Sequence, residues 1–205
     1  MSPRARSLVS LAEAVAFTAA VLAYSWRLRY ISPAFVLIFV VAVPASFRLH
    51  GETLASAGFV LAPFRDWLRD WRVWWLTLSA AAVLLAWDRL TPFLLYRALL
   101  YLLWCVLQQL VFQMMVVKRL REAMRSNRVA CAAAGLLFSV VHLPNPVLAP
   151  ATLLWGAYSA YLFGKRPSIF GVGLLQFLLS TCLFWLTPAG WAHAFRVGQG
   201  YLEYR

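Results

Sequence analysis

The strongest constraint on this chain is its series of apolar stretches, each close to the length a helix needs to cross a bilayer. The hydrocarbon core takes about 20 helical residues. Runs of that order lie at about 8–26, 30–47, 73–90, 92–117, 129–143, 147–164 and 168–187. In lipid the backbone must satisfy its own N–H and C=O groups, and a helix does this within one segment. The expected fold is therefore all-α, a polytopic transmembrane helical bundle of about seven spans. Counting the short fifth run and the apolar stretch 188–195 either way gives six to eight. With 63% hydrophobic and 13% charged residues, against about 25% charged in soluble domains, the chain could not cover a soluble surface.

The net charge of +12 does not imply a nucleic-acid partner. The cations form no single face or tract; they sit between apolar runs, where Lys and Arg set orientation. With the N-terminus in the cytoplasm and seven alternating helices, the inside segments hold Arg4, Arg6, Arg48, Arg65, Arg69, Arg72, Lys118, Arg119, Arg121, Arg125, Arg128, Lys165 and Arg166. The outside segments hold only Arg27, Arg29, Arg89, Arg97, Arg196 and Arg205. The expected orientation is N-in, C-out. Arg4 and Arg6 before the first run, with Val21 and Ala23 further on, could pass for a secretory signal. Glu13 inside that run and the spans that follow favour a retained first helix.

No repeat, low-complexity tract or linker divides the chain, so residues 1–205 read as a single membrane domain. Within it, Phe64, Trp67, Leu68 and Trp71 recur at helical spacing, with Arg65, Asp66, Arg69 and Asp70 on the other side. The stretch 62–72 is thus expected as an amphipathic helix on the inner membrane surface. Cys105, Cys131 and Cys182 fall in apolar segments without metal-ligand spacing and read as small buried side chains. There is no Gly-rich phosphate loop, HExxH or GxSxG.

Polar residues inside spans are costly and need a partner or a role. Gln108 and Gln109 are adjacent on the fourth run, with Gln113 one turn beyond Gln109. On the fifth, Phe138 and His142 are one turn apart and precede Pro144-Asn145-Pro146. On the seventh, Gln176 and Ser180 are one turn apart, and Glu13 is the one carboxylate well inside a run. At about 1.5 Å per residue, Gln108, His142, Gln176 and Ser180 lie about 15, 21, 12 and 18 Å from the inner side. A shared polar pocket at mid-membrane depth is one reading. The others are interhelical hydrogen-bond glue for the glutamines, a helix-end histidine at His142, and a Glu13 paired with a nearby Arg. His50 and His193 lie outside these groups and read as structural.

QQLVFQ at 108–113 resembles a variant of the Glu-Glu-x-x-x-Arg motif of the CPBP intramembrane proteases, the family of CAAX prenyl proteases and bacteriocin-processing (Abi) enzymes. FSVVH at 138–142 matches that family's Phe-x-x-x-His motif, its His-x-x-x-Asn motif falls on Gln176 and Ser180, and GETLASAGF at 51–59 is similar to the region before the core. The resemblance covers about 50–185 and implies a CPBP-like core. It implies that Gln108 and His142 occupy the water-activating positions and that Gln176 and Ser180 occupy the oxyanion positions, with Gln109, Gln113 and Phe138 beside them. It implies no cofactor and no metal ligand set, a bacterial inner membrane, and a membrane-embedded peptide or protein as substrate. The departures bear on chemistry. An amide cannot accept a proton at working pH, so Gln108 cannot be a general base. Replacing the Glu and Arg positions together avoids stranding one charge in low dielectric. Three functions follow: a peptidase with an altered site using His142 as base, with Glu13 its partner if the first helix packs there; a binding or scaffold protein that has lost proteolysis; and a structural or transport-type subunit.

Overall fold

The computed structural model describes residues 3–27, 35–70, 72–87 and 91–204. Among them every regular element is helical: α1 (Pro3–Trp26), α2 (Phe35–Leu49), α3 (Leu61–Asp70), α4 (Arg72–Ala86), α5 (Pro92–Phe112), a π-helical turn (Gln113–Val117), α6 (Lys118–Ala123), α7 (Asn127–Val140), α8 (Leu148–Lys165), α9 (Ile169–Leu186), and two short helices, α10 (Ala189–Ala192) and α11 (Gln199–Leu202). Each apolar run of the sequence contains a helix; the parts of the second and third runs at 30–34 and 88–90 lie outside the described residues. By length and composition three segments suffice to cross a membrane: Arg4–Trp26, Pro92–Ala123 and Ile169–Leu186. The helices of 74–85 and 127–140 are shorter. This is a helical membrane bundle.

The starts of the helices follow from local chemistry. Thr91 caps α5 by accepting from the Leu94 N–H at 3.1 Å, ahead of Pro92, whose missing N–H costs nothing there. Ser126 and Ser168 cap α7 and α9 in the same way. Asn145, fully buried, accepts from the Val147 and Leu148 N–H groups at 3.0 and 2.9 Å and donates to the Arg196 carbonyl at 3.1 Å. The Pro-Asn-Pro stretch thus starts α8 and ties it to the chain's end.

Small residues let the helices close up. A Cβ on Gly135 would stand 2.6 Å from the Leu153 carbonyl oxygen, so α7 and α8 touch backbone to backbone there. A Cβ on Gly173 would stand 2.8 Å from Val106 Cγ2, which brings α9 equally close to α5. The stretch expected to be amphipathic forms α3, which packs against α4 and α9. Trp67 is fully buried, lies over Gly171 of α9, and donates its indole N–H to the Arg166 carbonyl at 3.2 Å. Arg166 in turn pairs with Asp70, whose carboxyl that guanidinium holds below the ordinary range. The three cysteines are free and buried.

Candidate functional site

Gln108 and Gln109 leave α5 on the side that faces α9, and Gln176 meets both. Gln176 Nε2 donates to Gln108 Oε1 at 2.5 Å, and Gln109 Nε2 donates to Gln176 Oε1 at 2.6 Å. One turn on, Gln113 Nε2 donates to Gln109 Oε1 at 2.9 Å and sits 3.4 Å from Ser159 Oγ of α8. Trp155 of α8 donates its indole N–H to Gln176 Oε1 at 3.1 Å. One chain of amides joins α5 and the π-helical turn to α9, and Trp155 and Ser159 tie it to α8; Gln109 and Gln113 are fully buried and Gln176 nearly so. An amide carries both donors and an acceptor, so such a chain can close without a charge. One atom is left over: Gln113 Oε1 is buried without a hydrogen-bond partner.

Ser180, one turn after Gln176, donates to the Gln176 carbonyl at 2.7 Å and accepts from the Tyr101 hydroxyl at 2.9 Å. Cys105, one turn from Tyr101, lies buried within reach of Tyr101, Ser180 and Gln176. The glutamines and Ser180 therefore meet, with Tyr101, Cys105, Trp155 and Ser159 completing their surroundings.

His142 follows α7 and is half-buried. Its Nδ1 lies 2.7 Å from the Phe138 carbonyl oxygen. A carbonyl only accepts, so in the neutral ring Nδ1 carries the hydrogen and Nε2 presents its lone pair. The ring stands edge-on to Phe138, centroids 4.9 Å apart, and Phe138 packs on Phe112 of α5 at 4.5 Å. Among the described residues no hydrogen bond joins His142 to the glutamines; its ring packs on Phe138, which in turn packs on Phe112 of α5.

Glu13 lies in a different cluster, at the basic end of the bundle. Its Oε2 is 3.0 Å from His50 Nε2 and 3.0 Å from Arg119 Nε, and it accepts from Ser46 Oγ at 3.2 Å. Glu122 Oε2 faces the other His50 nitrogen at 3.2 Å and accepts from Ser10 Oγ at 2.6 Å, while its Oε1 pairs with Arg119 at 3.1 Å. Glu52 pairs with Lys118 at 2.7 Å and Arg119 at 3.6 Å, and Ser56 donates to it. Arg119 is fully buried at the centre. Burial alone would raise the Glu52 carboxyl; the hydrogen bonds from Lys118 and Ser56 and the two nearby cations outweigh it and hold it below the ordinary range. Sequence reasoning gave Glu13 an Arg partner as one option but did not find the network. Its signal was Glu122, an isolated acid inside the basic stretch 118–128.

Among the described residues no group of three His, Cys, Asp or Glu could hold a metal ion.

The model of the family described as type II CAAX prenyl endopeptidase, Rce1-like, matches residues 90–182, which is α5 to α9 apart from its last turn. No curated protein and no solved structure matches. The matched segment holds the QQLVFQ and FSVVH motifs as well as Gln176 and Ser180. Over that segment the chain is similar to the Rce1-like CAAX prenyl endopeptidases, and its long apolar helices are those of an integral membrane protein.

Proposed function

We propose that this chain uses the CPBP core to hold a membrane-embedded peptide or lipid-modified protein and does not cleave it. The observation that carries the reading is the amide chain Gln108–Gln176–Gln109–Gln113. The positions where the family motif has two carboxylates and an Arg hold three neutral amides, and their hydrogen bonds are made with one another and with Trp155 and Ser159. Water activation needs a group that takes a proton, and an amide does not. Recognition needs donors and acceptors in a place shielded from water, and Gln176, Tyr101 and Ser180 supply them. On this reading the protein sits in a bacterial inner membrane with its N-terminus on the cytoplasmic side.

A second reading has one observation in its favour. With Nδ1 committed to Phe138, His142 Nε2 is free to act as a base, which is what an altered-site peptidase would require.

The test uses the purified full chain in lipid nanodiscs with a fluorescent farnesylated CAAX-box peptide, the substrate class named for the matched family. Anisotropy reads binding and mass spectrometry reads cleavage. Binding without cleavage, weakened about tenfold by Gln108→Ala, is the expected result. Cleavage abolished by His142→Ala establishes the altered-site peptidase instead. Neither binding nor cleavage refutes both readings for this substrate class.

A further inference from the structure

We propose that the crease between α7 and α8 is a binding site for one anionic glycerophospholipid. It would be drawn from the leaflet that faces the basic end of the bundle.

The crease follows from the packing already described. Gly135 lets the two helices touch, so their outer faces leave a furrow rather than a wide gap. Ala132 and Leu136 of α7 and Leu154, Ala157, Tyr158 and Tyr161 of α8 line an apolar cavity of about 560 Å³. Leu136 and Leu154 are more than half exposed, so this is an outward, lipid-facing surface. A second cavity, of about 710 Å³, continues from it: Ala132, Ala157 and Tyr161 line both. Its remaining lining is polar or small, with Ser126, Asn127 and Arg128 at the start of α7 and Cys131 one turn in. The furrow is apolar along its length and polar at one mouth, the profile of an acyl chain below a headgroup.

The charge at the mouth selects an anion. Arg128 lines it, and Lys165 sits at the end of α8 with Nζ 4.6 Å from the centre of the Tyr161 ring. Behind Cys131, Arg121 donates to the Ala160 carbonyl at 2.7 Å, with the Cys131 sulfur 4.0 Å away and its Nε buried without a partner. No described carboxylate pairs with any of these three. Glu13, Glu52, Glu122, Asp66 and Asp70 are all engaged with other cations. Three uncompensated cations around a furrow that opens to lipid attract a phosphate headgroup, and the serine hydroxyl and asparagine amide add hydrogen bonds to its oxygens.

The test is native mass spectrometry of the full chain released from detergent after incubation with phosphatidylglycerol or phosphatidylcholine of the same acyl chains. The expected result is preferential retention of one phosphatidylglycerol. Removing cations one at a time, Arg128→Gln then Lys165→Gln, should weaken retention roughly fivefold each. Ala132→Phe, at an exposed position, fills the furrow without touching a charge and should also displace the lipid. Arg97→Gln, an exposed cation elsewhere, is the control. Equal retention of the two lipids overturns the proposal, as does an equal loss with Arg97→Gln. Retention untouched by Ala132→Phe overturns it too, since the lipid would then be held by surface charge alone.

Discussion

Gln109 is the residue through which the polar core is connected, since it donates to Gln176 and accepts from Gln113. Gln109→Leu removes one of the two hydrogen bonds at Gln176 Oε1, which keeps Trp155, and leaves Gln113 Nε2 only its long contact with Ser159, a loss of about 1 kcal/mol for each bond. The expected outcome is destabilisation of roughly 2 kcal/mol, read as a lowered unfolding midpoint in detergent. Gln113→Met is milder, within about 1 kcal/mol, because it also removes the unpartnered Oε1. Arg119 behaves differently. Arg119→Ala leaves Glu13, Glu52 and Glu122 without their shared cation, and breaking a buried pair costs about 3–5 kcal/mol; loss of folded protein during purification is the expected result. These residues were unequally legible. The glutamines announced themselves because an amide in an apolar run is conspicuous and expensive. Trp155 and Tyr101 did not, because an aromatic residue in a membrane helix looks like core or interface until its N–H or O–H is seen to have a partner. Glu52, Arg119 and Glu122 were hidden for the opposite reason: charges near helix ends are what orientation alone already requires.

At the scale of elements, the helix pattern was readable because hydrophobic length marks a span before any tertiary contact is known. What the pattern could not give is which faces meet. The amphipathic helix shows the difference. Its apolar side read as a membrane anchor, yet Trp67 is covered by Gly171 of α9. A Cβ there would lie 2.9 Å from the indole, so Gly171→Ala should cost about 1–3 kcal/mol by overpacking. Adding Trp67→Phe should recover part of that loss, a non-additive pair measurable by the same unfolding midpoints. The turn at 50–60 is held to α6 by Glu52, and its depressed carboxyl sets a pH dependence. A carboxylate with a lowered folded-state pKa contributes stability above its unfolded value and loses it as pH falls through the folded one. Hydrogen-exchange protection at 52–59 should therefore be steady near neutrality and fall below about pH 4. Glu52→Gln should lower it at neutral pH and flatten the profile.

For the whole molecule, the side on which each end lies follows from contacts as well as charge. Ser7 and Ser10 near the start of α1 bond to Glu122 near the end of α6, at 3.3 and 2.6 Å. The N-terminus and the 124–126 turn must share a face of the membrane, whatever the number of crossings between them. Arg4→Cys and Arg125→Cys should be labelled by an impermeant maleimide from the same side of sealed vesicles; labelling from opposite sides would contradict the arrangement. The same contacts give the π-helical turn a second meaning. It separates the amides of α5 from the cations of α6, and a π turn amounts to one residue more than an α-helix needs. The gene can therefore lose a single codon between 114 and 117 and keep both ends of this rod in phase, because the turn relaxes to ordinary helix. The same loss between 100 and 107 has no slack to absorb it. It would swing Tyr101 and the rest of the segment before it by about 100° against Gln108, so a scan of one-residue deletions should show one tolerant window in an otherwise intolerant helix.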